Sequence, residues 1–275
     1  MSYTNHHILE FLEDWAPQST KLEYDNVGLL IGNKDENVSK VIACLDVTSE
    51  VADEAIAIGA DLIIAHHPLI FRKLSRITSS DSTGAIIYRL IRNDINLIAA
   101  HTNLDAAAGG VSFVLAEKLG LQDARFLKTD DNGDPDAPGQ TGFGVIGRLS
   151  EAMDVSAFLT HVGSCLGSNG IRYSGSPEQI KKVAVCGGAG SFLTEEALRQ
   201  EADAYVTADL KYHDFFTESA SLLLVDAGHY ESEVPVVGVL CGRLRDRFPE
   251  LEVHSTSVNT NPVNYDFRQQ TQKMK

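Results

Sequence analysis

Three short runs in the first hundred residues are apolar from end to end: Val41-Ile42-Ala43-Cys44-Leu45, Leu62-Ile63-Ile64-Ala65 and Leu97-Ile98-Ala99-Ala100. A strand with one face in water alternates apolar and polar side chains, so a run without alternation predicts a strand covered on both faces. Helix signals fill the gaps. Ser49 is the expected cap of a helix to about Gly59, with Asp53 and Glu54 in its first turns. Gly84 to Arg92 reads as a second helix, and Gly110 to Leu119 as a third, closed by Gly120. Strands over Val41–Leu45, Asp61–Ala65 and Ile95–Ala100, separated by helices, give an α/β fold with parallel pairs.

The pattern resumes after one breaker-rich stretch, Lys128 to Gly142 (KTDDNGDPDAPGQTG), which reads as an acidic surface loop between a half at about 1–127 and another at about 143–265. Beyond it a strand is expected near Phe143–Leu149, a helix near Val155–Leu166 and a strand near Lys182–Gly187. The chain is polar from about Ser255, ending in a tail at 266–275 that is expected to pack poorly. The halves repeat each other. At an offset of 142, Lys40-Val41 meets Lys182-Val183, Cys44 meets Cys186, Ser49 meets Ser191, Glu54-Ala55 meets Glu196-Ala197 and Ala60-Asp61 meets Ala202-Asp203. At an offset of 128, His101-x-x-x-Asp105 falls on His229-x-x-x-Glu233.

Charge narrows the partners. With 23 Lys and Arg against 38 Asp and Glu the net charge is −15, which disfavours nucleic acid and anionic lipid and suits cations. No apolar run approaches the roughly 20 residues of a membrane span, and the polar start of the chain has no basic region of a signal peptide. Four scattered cysteines (Cys44, Cys165, Cys186, Cys241) with no CxxC pair read as buried thiols, and the expected location is the cytoplasm.

Imidazole and carboxylate collect at three strand ends: His66-His67-Pro68, His101 to Asp105, and His229 to Glu233. Ligands of open α/β sheets bind at that rim. The donor types suit Zn, Mn or Fe, and the lack of cysteine favours an open site over a closed structural one. Five or six donors exceed the needs of one tetrahedral ion and match two ions sharing a carboxylate. His66 and His67 would face opposite ways in a regular strand, but Pro68 ends the ladder and lets both rings converge. Gly187, Gly188 and Gly190 follow a strand and are candidates to cradle an anion on their amides, and Lys211 to bind substrate charge. His213 is a candidate proton carrier, and Asp25 a support for a ligand.

Taken in order, Asp25-Asn26-Val27-Gly28-Leu29, Ala65-His66-His67-Pro68-Leu69-Ile70-Phe71, His101-Thr102-Asn103-Leu104-Asp105, Gly187 to Gly190, Asp209 to Asp214, Gly228-His229-Tyr230 with Glu233, and Asn261-Pro262-Val263 resemble the motifs of the NIF-three-like family. Its members are often called type 2 GTP cyclohydrolase I homologues. The likeness spans about residues 5 to 265, and Tyr24 stands where many members have Trp. It implies two similar, interlinked α/β halves with mostly parallel sheets, without the central domain some members insert. It also implies two ions, one on His66 and His229, the other on His67 and Asp105, with Glu233 bridging and His101 beside them. A hexameric ring with the metal sites facing an internal cavity is implied as well.

Two functions fit these residues. One is a metal-dependent hydrolase of a nucleotide or similar small anion, with His101, Glu233 and His213 as catalytic groups and Lys211 with the Gly187–Gly190 turn as its substrate contacts. The other is a metal carrier or metal-stabilised regulatory scaffold.

Overall fold

The computed structural model describes residues 2–129, 139–168, 170–217 and 221–266. In chain order its strands are β1 (Tyr3–Thr4), β2 (Gly28–Ile31), β3 (Asn37–Val38), β4 (Lys40–Cys44), β5 (Leu62–Ala65), β6 (Asn96–Ala99), β7 (Gln122–Thr129), β8 (Gly142–Met153), β9 (Arg172–Ser174), β10 (Ile180–Ala189), β11 (Ala204–Ala208), β12 (Leu223–Asp226) and β13 (Glu252–Ser255). One sheet runs β13-β4-β5-β6-β2, the other β7-β8-β10-β11-β12-β9, and β1 pairs β3. The first is parallel except at β2; in the second, β10, β11 and β12 are parallel and the remaining pairs antiparallel.

The apolar runs lie at the centres of the sheets, and both faces are covered as their lack of alternation requires. In β4, Val41 and Ala43 pack against Ile8, Leu12, Leu240 and Leu244 of the helices Asn5–Trp15 and Pro235–Arg247. Ile42 and Cys44 point the other way, to Val51, Ala55, Ile87 and Leu90 of the helices Ser49–Ile58 and Ser82–Arg92. The second sheet repeats the arrangement. Val183 and Val185 meet Leu115, Phe158 and Val162, while Ala184 and Cys186 meet Leu193 and Ala197. All four cysteines are free thiols; Cys44, Cys186 and Cys241 are buried and Cys165 half-buried.

The repeat read at an offset of 142 recurs in the hydrogen bonds. Asp61 Oδ2 accepts the N–H groups of Ser39 (2.8 Å) and Lys40 (2.9 Å). Asp203 Oδ2 does the same for Lys181 (2.9 Å) and Lys182 (2.8 Å). Lys40 Nζ donates to the Ile58 carbonyl at the end of one helix, and Lys182 Nζ to that of Gln200 at the end of its counterpart. Gly59 and Glu201, also 142 apart, both turn out of those helices with positive φ, 66° and 54°. Each aspartate thus staples the start of a central strand to the start of the next. Asp61→Ala and Asp203→Ala should each cost about 1–2 kcal/mol, and the costs should add because the sites lie in separate sheets. Urea unfolding of both single variants and the double checks this, and a neutral Asp203→Ala would break the equivalence.

Two boundaries differ from expectation. Lys128 and Thr129 belong to β7 and Gly142 to β8, and they pair directly (Lys128↔Phe143, Thr129↔Gly142). The expected break between the halves therefore lies inside one sheet, joining neighbouring antiparallel strands; residues 130–138 lie outside the described residues. The ends are interlinked: β7 precedes the break yet pairs in the second sheet, and β13 follows it yet pairs in the first. The polar segment after Ser255 does not hang free. Thr256 and Ser257 bond to Glu54, Thr260 Oγ1 to Asp46 at 2.6 Å, and Asn261 Nδ2 to Glu231 at 2.9 Å. Residues 267–275 lie outside the described residues. No helix among the described residues is long and apolar enough to cross a membrane.

Candidate metal centre

β5 ends at Ala65, but its ladder runs two residues further, with His66 N–H bonded to Cys44 O (3.1 Å) and His67 N–H to Leu45 O (2.8 Å). At the exit before Pro68 both rings turn to the same place, with centroids 4.9 Å apart. His101 follows β6 and stands 5.2 Å from His66 and 5.3 Å from His67 between centroids. The short helix Thr102–Asp105 then brings in Asp105. From the second half, the helix His229–Glu233 after β12 presents His229 and, one turn on, Glu233.

Each ring is oriented by its Nδ1. His66 Nδ1 bonds to Ala100 O at 2.8 Å, His67 Nδ1 to Asp46 at 2.7 Å, His101 Nδ1 to Asp25 at 2.9 Å and His229 Nδ1 to Asp209 at 2.8 Å. That leaves the four Nε2 atoms for the centre. Asp25 is itself fixed by the N–H and hydroxyl of Thr102. Glu233 Oε2 lies 3.0 Å from both His67 Nε2 and His229 Nε2, which are 3.4 Å from each other. His66 Nε2 lies 3.6 Å from Asp105 Oδ1 and 3.9 Å from Glu233 Oε2.

The approaches of Glu233 and Asp105 to the rings are close without being aligned as hydrogen bonds, whereas the two Nε2 atoms of His67 and His229 are within hydrogen-bond reach of each other. His66 Nε2, Asp105 Oδ1 and Glu233 Oε2 are buried with no hydrogen-bond partner. Three such atoms facing one another fit a cation, which satisfies converging lone pairs where a proton cannot. His67, His229 and Glu233 form one group that could hold a metal ion; His66, Asp105 and Glu233 form another, and His66, His67 and His101 a third. This pairing differs from the one the family resemblance implies.

The charges are tightly coupled. Burial holds the His66 imidazole neutral, pushed down to about 3. Burial also opposes charge on His67 and His229, but the carboxylates flanking each outweigh it and lift them to about 9 and about 10. Glu233 falls well below the usual carboxylate range: burial opposes its charge, and the surrounding imidazoles prevail. Burial and the charge of Glu233 push Asp105 up, since two buried carboxylates this close do not both ionise.

The expected metal ligands His66, His67, Asp105, His229 and Glu233 thus come together, and His101, expected beside them, joins His66 and His67. The other expected contacts do not converge. Lys211 and His213 are exposed on the turn after Asp209, where Lys211 N–H bonds to Asp214 and the His213 ring packs beside Tyr212. Gly187 and Gly188 lie in β10, and their amides face Ser112 and Ser232 hydroxyls rather than an anion. The smallness of Gly188 serves Glu233 instead, and that of Gly187 makes room for Val111, whose Cγ1 would lie 2.5 Å from an added Cβ. A Cβ on Gly188 would lie 2.0 Å from Glu233 Oε1, and one on Gly187 3.4 Å from its Cγ. Gly190 makes room for Thr207 and Tyr205, and its carbonyl takes the Tyr205 hydroxyl.

Asp46 and Asp209 were the unforeseen members. Both follow apolar strands at the rim, which is the signal common to the two; the offset of 142, which puts Asp209 at the position of His67, marks Asp209 alone. Asp46→Ala and Asp209→Ala should each lower divalent-metal affinity by about 10–100-fold with the fold intact. Competition against a chelator measures this; unchanged affinity in both would remove the supporting role.

A cavity of about 430 Å³ opens beside His67 and His229. Its rim carries Asp46, Asp209, Asp226, Glu231 and Arg172, and Asn261 and Tyr265 of the last described segment form part of its wall.

The sequence model of the Duf34/NIF3 (NGG1p interacting factor 3) family matches residues 3–262. A Clostridium perfringens protein named GTP cyclohydrolase 1 type 2 homolog is 38% identical over 243 residues, covering 87% of this chain and 90% of its own. The crystal structure of Staphylococcus aureus hypothetical protein SA1388 superposes with a TM-score of 0.86 at 31% identity, covering 96% of this chain and 99% of that one. The Bacillus cereus protein related to NIF3 gives 0.87 at 28% identity, with the same coverage.

Proposed function

The chain belongs to the Duf34/NIF3 family, and we propose that it holds two divalent ions and acts as a hydrolase on a nucleotide or a similarly small anionic molecule. The observation that carries this reading is the convergence of His66 Nε2, Asp105 Oδ1 and Glu233 Oε2, buried and unpartnered, on one point. His66, Asp105 and Glu233 would hold one ion, and His67, His229 and Glu233 the other; Zn, Fe and Mn all suit these donors. Such ions supply Lewis acidity, polarising a substrate oxygen and bringing water toward ionisation near neutral pH. The chain does the positioning. Asp46 and Asp209 hold the Nδ1 protons of His67 and His229, so their Nε2 lone pairs face inward. Asp25 does so for His101, whose Nε2 is then the site that takes or returns a proton. The name of the relatives makes GTP the first nucleotide to try.

Elemental mass spectrometry on untagged protein, followed by a nucleotide hydrolysis panel, tests the reading. About two ions per chain are expected, with turnover that stops on chelation and returns with metal. Equal turnover in stripped protein would sink it. The reading also takes the protein as a cytoplasmic ring of six copies, the assembly the resemblance implies, and light scattering that gives another mass removes that part.

One observation favours a second reading. Among the described residues, four carboxylates line the cavity against a single arginine, a surface that concentrates cations. A metal carrier or metal-stabilised scaffold would use it so, with ions that exchange within minutes and no turnover across the panel.

A further inference from the structure

Among the described residues, Arg172 is the only Lys or Arg on the wall of the 430 Å³ cavity. It stands on the edge strand β9, remote in sequence from the histidine motifs. Its guanidinium is held in three ways: Nη2 is paired with Asp226 and donates to Leu210 O at 2.9 Å, and Cζ lies 5.3 Å from the centroid of the Phe215 ring. Both bonds use Nη2, so among the described residues the N–H groups of Nε and Nη1 are left for a ligand. The acids around it are already engaged: Asp46 with His67 and Thr260, Asp209 with His229, Asp226 with Arg172 itself, and Glu231 with Asn261. The Arg172 side chain is 60% exposed, so the rest of its guanidinium faces the open cavity, and its planar fork matches phosphate or carboxylate.

We propose that Arg172 is the substrate-binding cation of this cavity, and that the ligand is a small molecule with a phosphate or carboxylate at Arg172 and an apolar or aromatic body against Tyr230, Pro262 and Tyr265. The inference rests on the proposed metal centre for its neighbour but assigns the anion contact to Arg172 in place of Lys211. The lining is more apolar than charged away from these groups, and its volume suits a ligand of nucleoside size or smaller.

Phenyl phosphate and inorganic phosphate are the probes, titrated by calorimetry into the full chain as purified and after metal loading, with metal counted in each sample. The expected result is tighter binding of phenyl phosphate than of phosphate, a loss of at least tenfold for Arg172→Gln at unchanged metal content, partial recovery in Arg172→Lys, and no change in Lys211→Gln. A metal-loaded Arg172→Gln protein that binds phenyl phosphate as the parent does overturns the inference, as does a parent that binds neither probe at millimolar concentration. Phosphate and benzoate compared in the same cell separate the two oxyanion sources. A chain that takes up no metal overturns the proposed function instead, and the Arg172 comparison in that metal-free protein still decides this inference.

Discussion

Glu233→Ala is expected to strip the protein of both ions, taking bound metal from about two per chain to about zero after dialysis. Among the described residues, Glu233 is the one carboxylate that belongs to two of the three ligand groups, within 3.0 Å of His67 and His229 and 3.9 Å of His66. A supporting residue alone is worth 10–100-fold in metal affinity, so losing the shared ligand should exceed about 100-fold for each ion. The metal-free fold should suffer too. Glu233 is 4% exposed, and its charge is what allows two protonated rings to stand with Nε2 atoms 3.4 Å apart. Removing the anion from such a buried cluster costs about 3 kcal/mol. Glu233→Gln keeps the shape and loses the charge, so it should lose metal as fully while disturbing packing less. Elemental analysis and thermal unfolding of both variants are the measurements. An alanine variant that retains two ions would show that Glu233 is a structural acid and not a bridge.

The ligands could be read from the sequence because each follows an apolar run at the end of a parallel strand, where the rim of the sheet is dictated by local pattern. His66 and His67 follow Leu62–Ala65, His101 follows Leu97–Ala100, and His229 follows the run ending at Val225. The pairing of ligands was not readable in the same way. It depends on which carbonyl or carboxylate grips each Nδ1, and Asp46 and Asp209 lie 21 and 20 residues from their histidines. The packing of the segment after Ser255 could not be read from its polar composition, because its partners Glu54, Asp46 and Glu231 come from distant parts of the chain. Arg172 escaped for a related reason: it reaches the cavity from an edge strand whose neighbour, β12, lies some fifty residues further on. Gly187 and Gly188 stood out in the sequence as a glycine turn suited to an anion, whereas in the structure a Cβ on either would meet a neighbouring side chain. What needs the space at Gly188 is the carboxylate of Glu233, a contact no local pattern displays.

Metal affinity should rise steeply with pH, by roughly a thousandfold between pH 6 and pH 7.5. In the metal-free chain His67 and His229 are held protonated to about 9 and about 10, because Asp46, Asp209 and Glu233 outweigh the penalty of burial. His66 is already neutral at these pH values and offers its lone pair at no such cost. An ion entering the group of His67, His229 and Glu233 must therefore expel one proton from each of two rings, and each proton is worth about tenfold in affinity per pH unit. Asp105, pushed up by burial and by Glu233, acts in the same direction. Calorimetry at pH 7 in two buffers of different ionisation enthalpy should count about two protons released per chain, and chelator competition across the pH range gives the slope. A change below tenfold from pH 6 to 7.5, with no net proton release, would show that the rings are neutral before metal arrives. Stability of the metal-free chain runs in the opposite direction. Groups whose folded values exceed 6.5 contribute fully below that pH and lose the contribution as pH climbs through about 9 and 10. Raising the pH therefore withdraws the protons that hold the centre together without metal while it frees the same nitrogens to bind metal, so the stabilisation conferred by metal should widen with every step upward from pH 6.5.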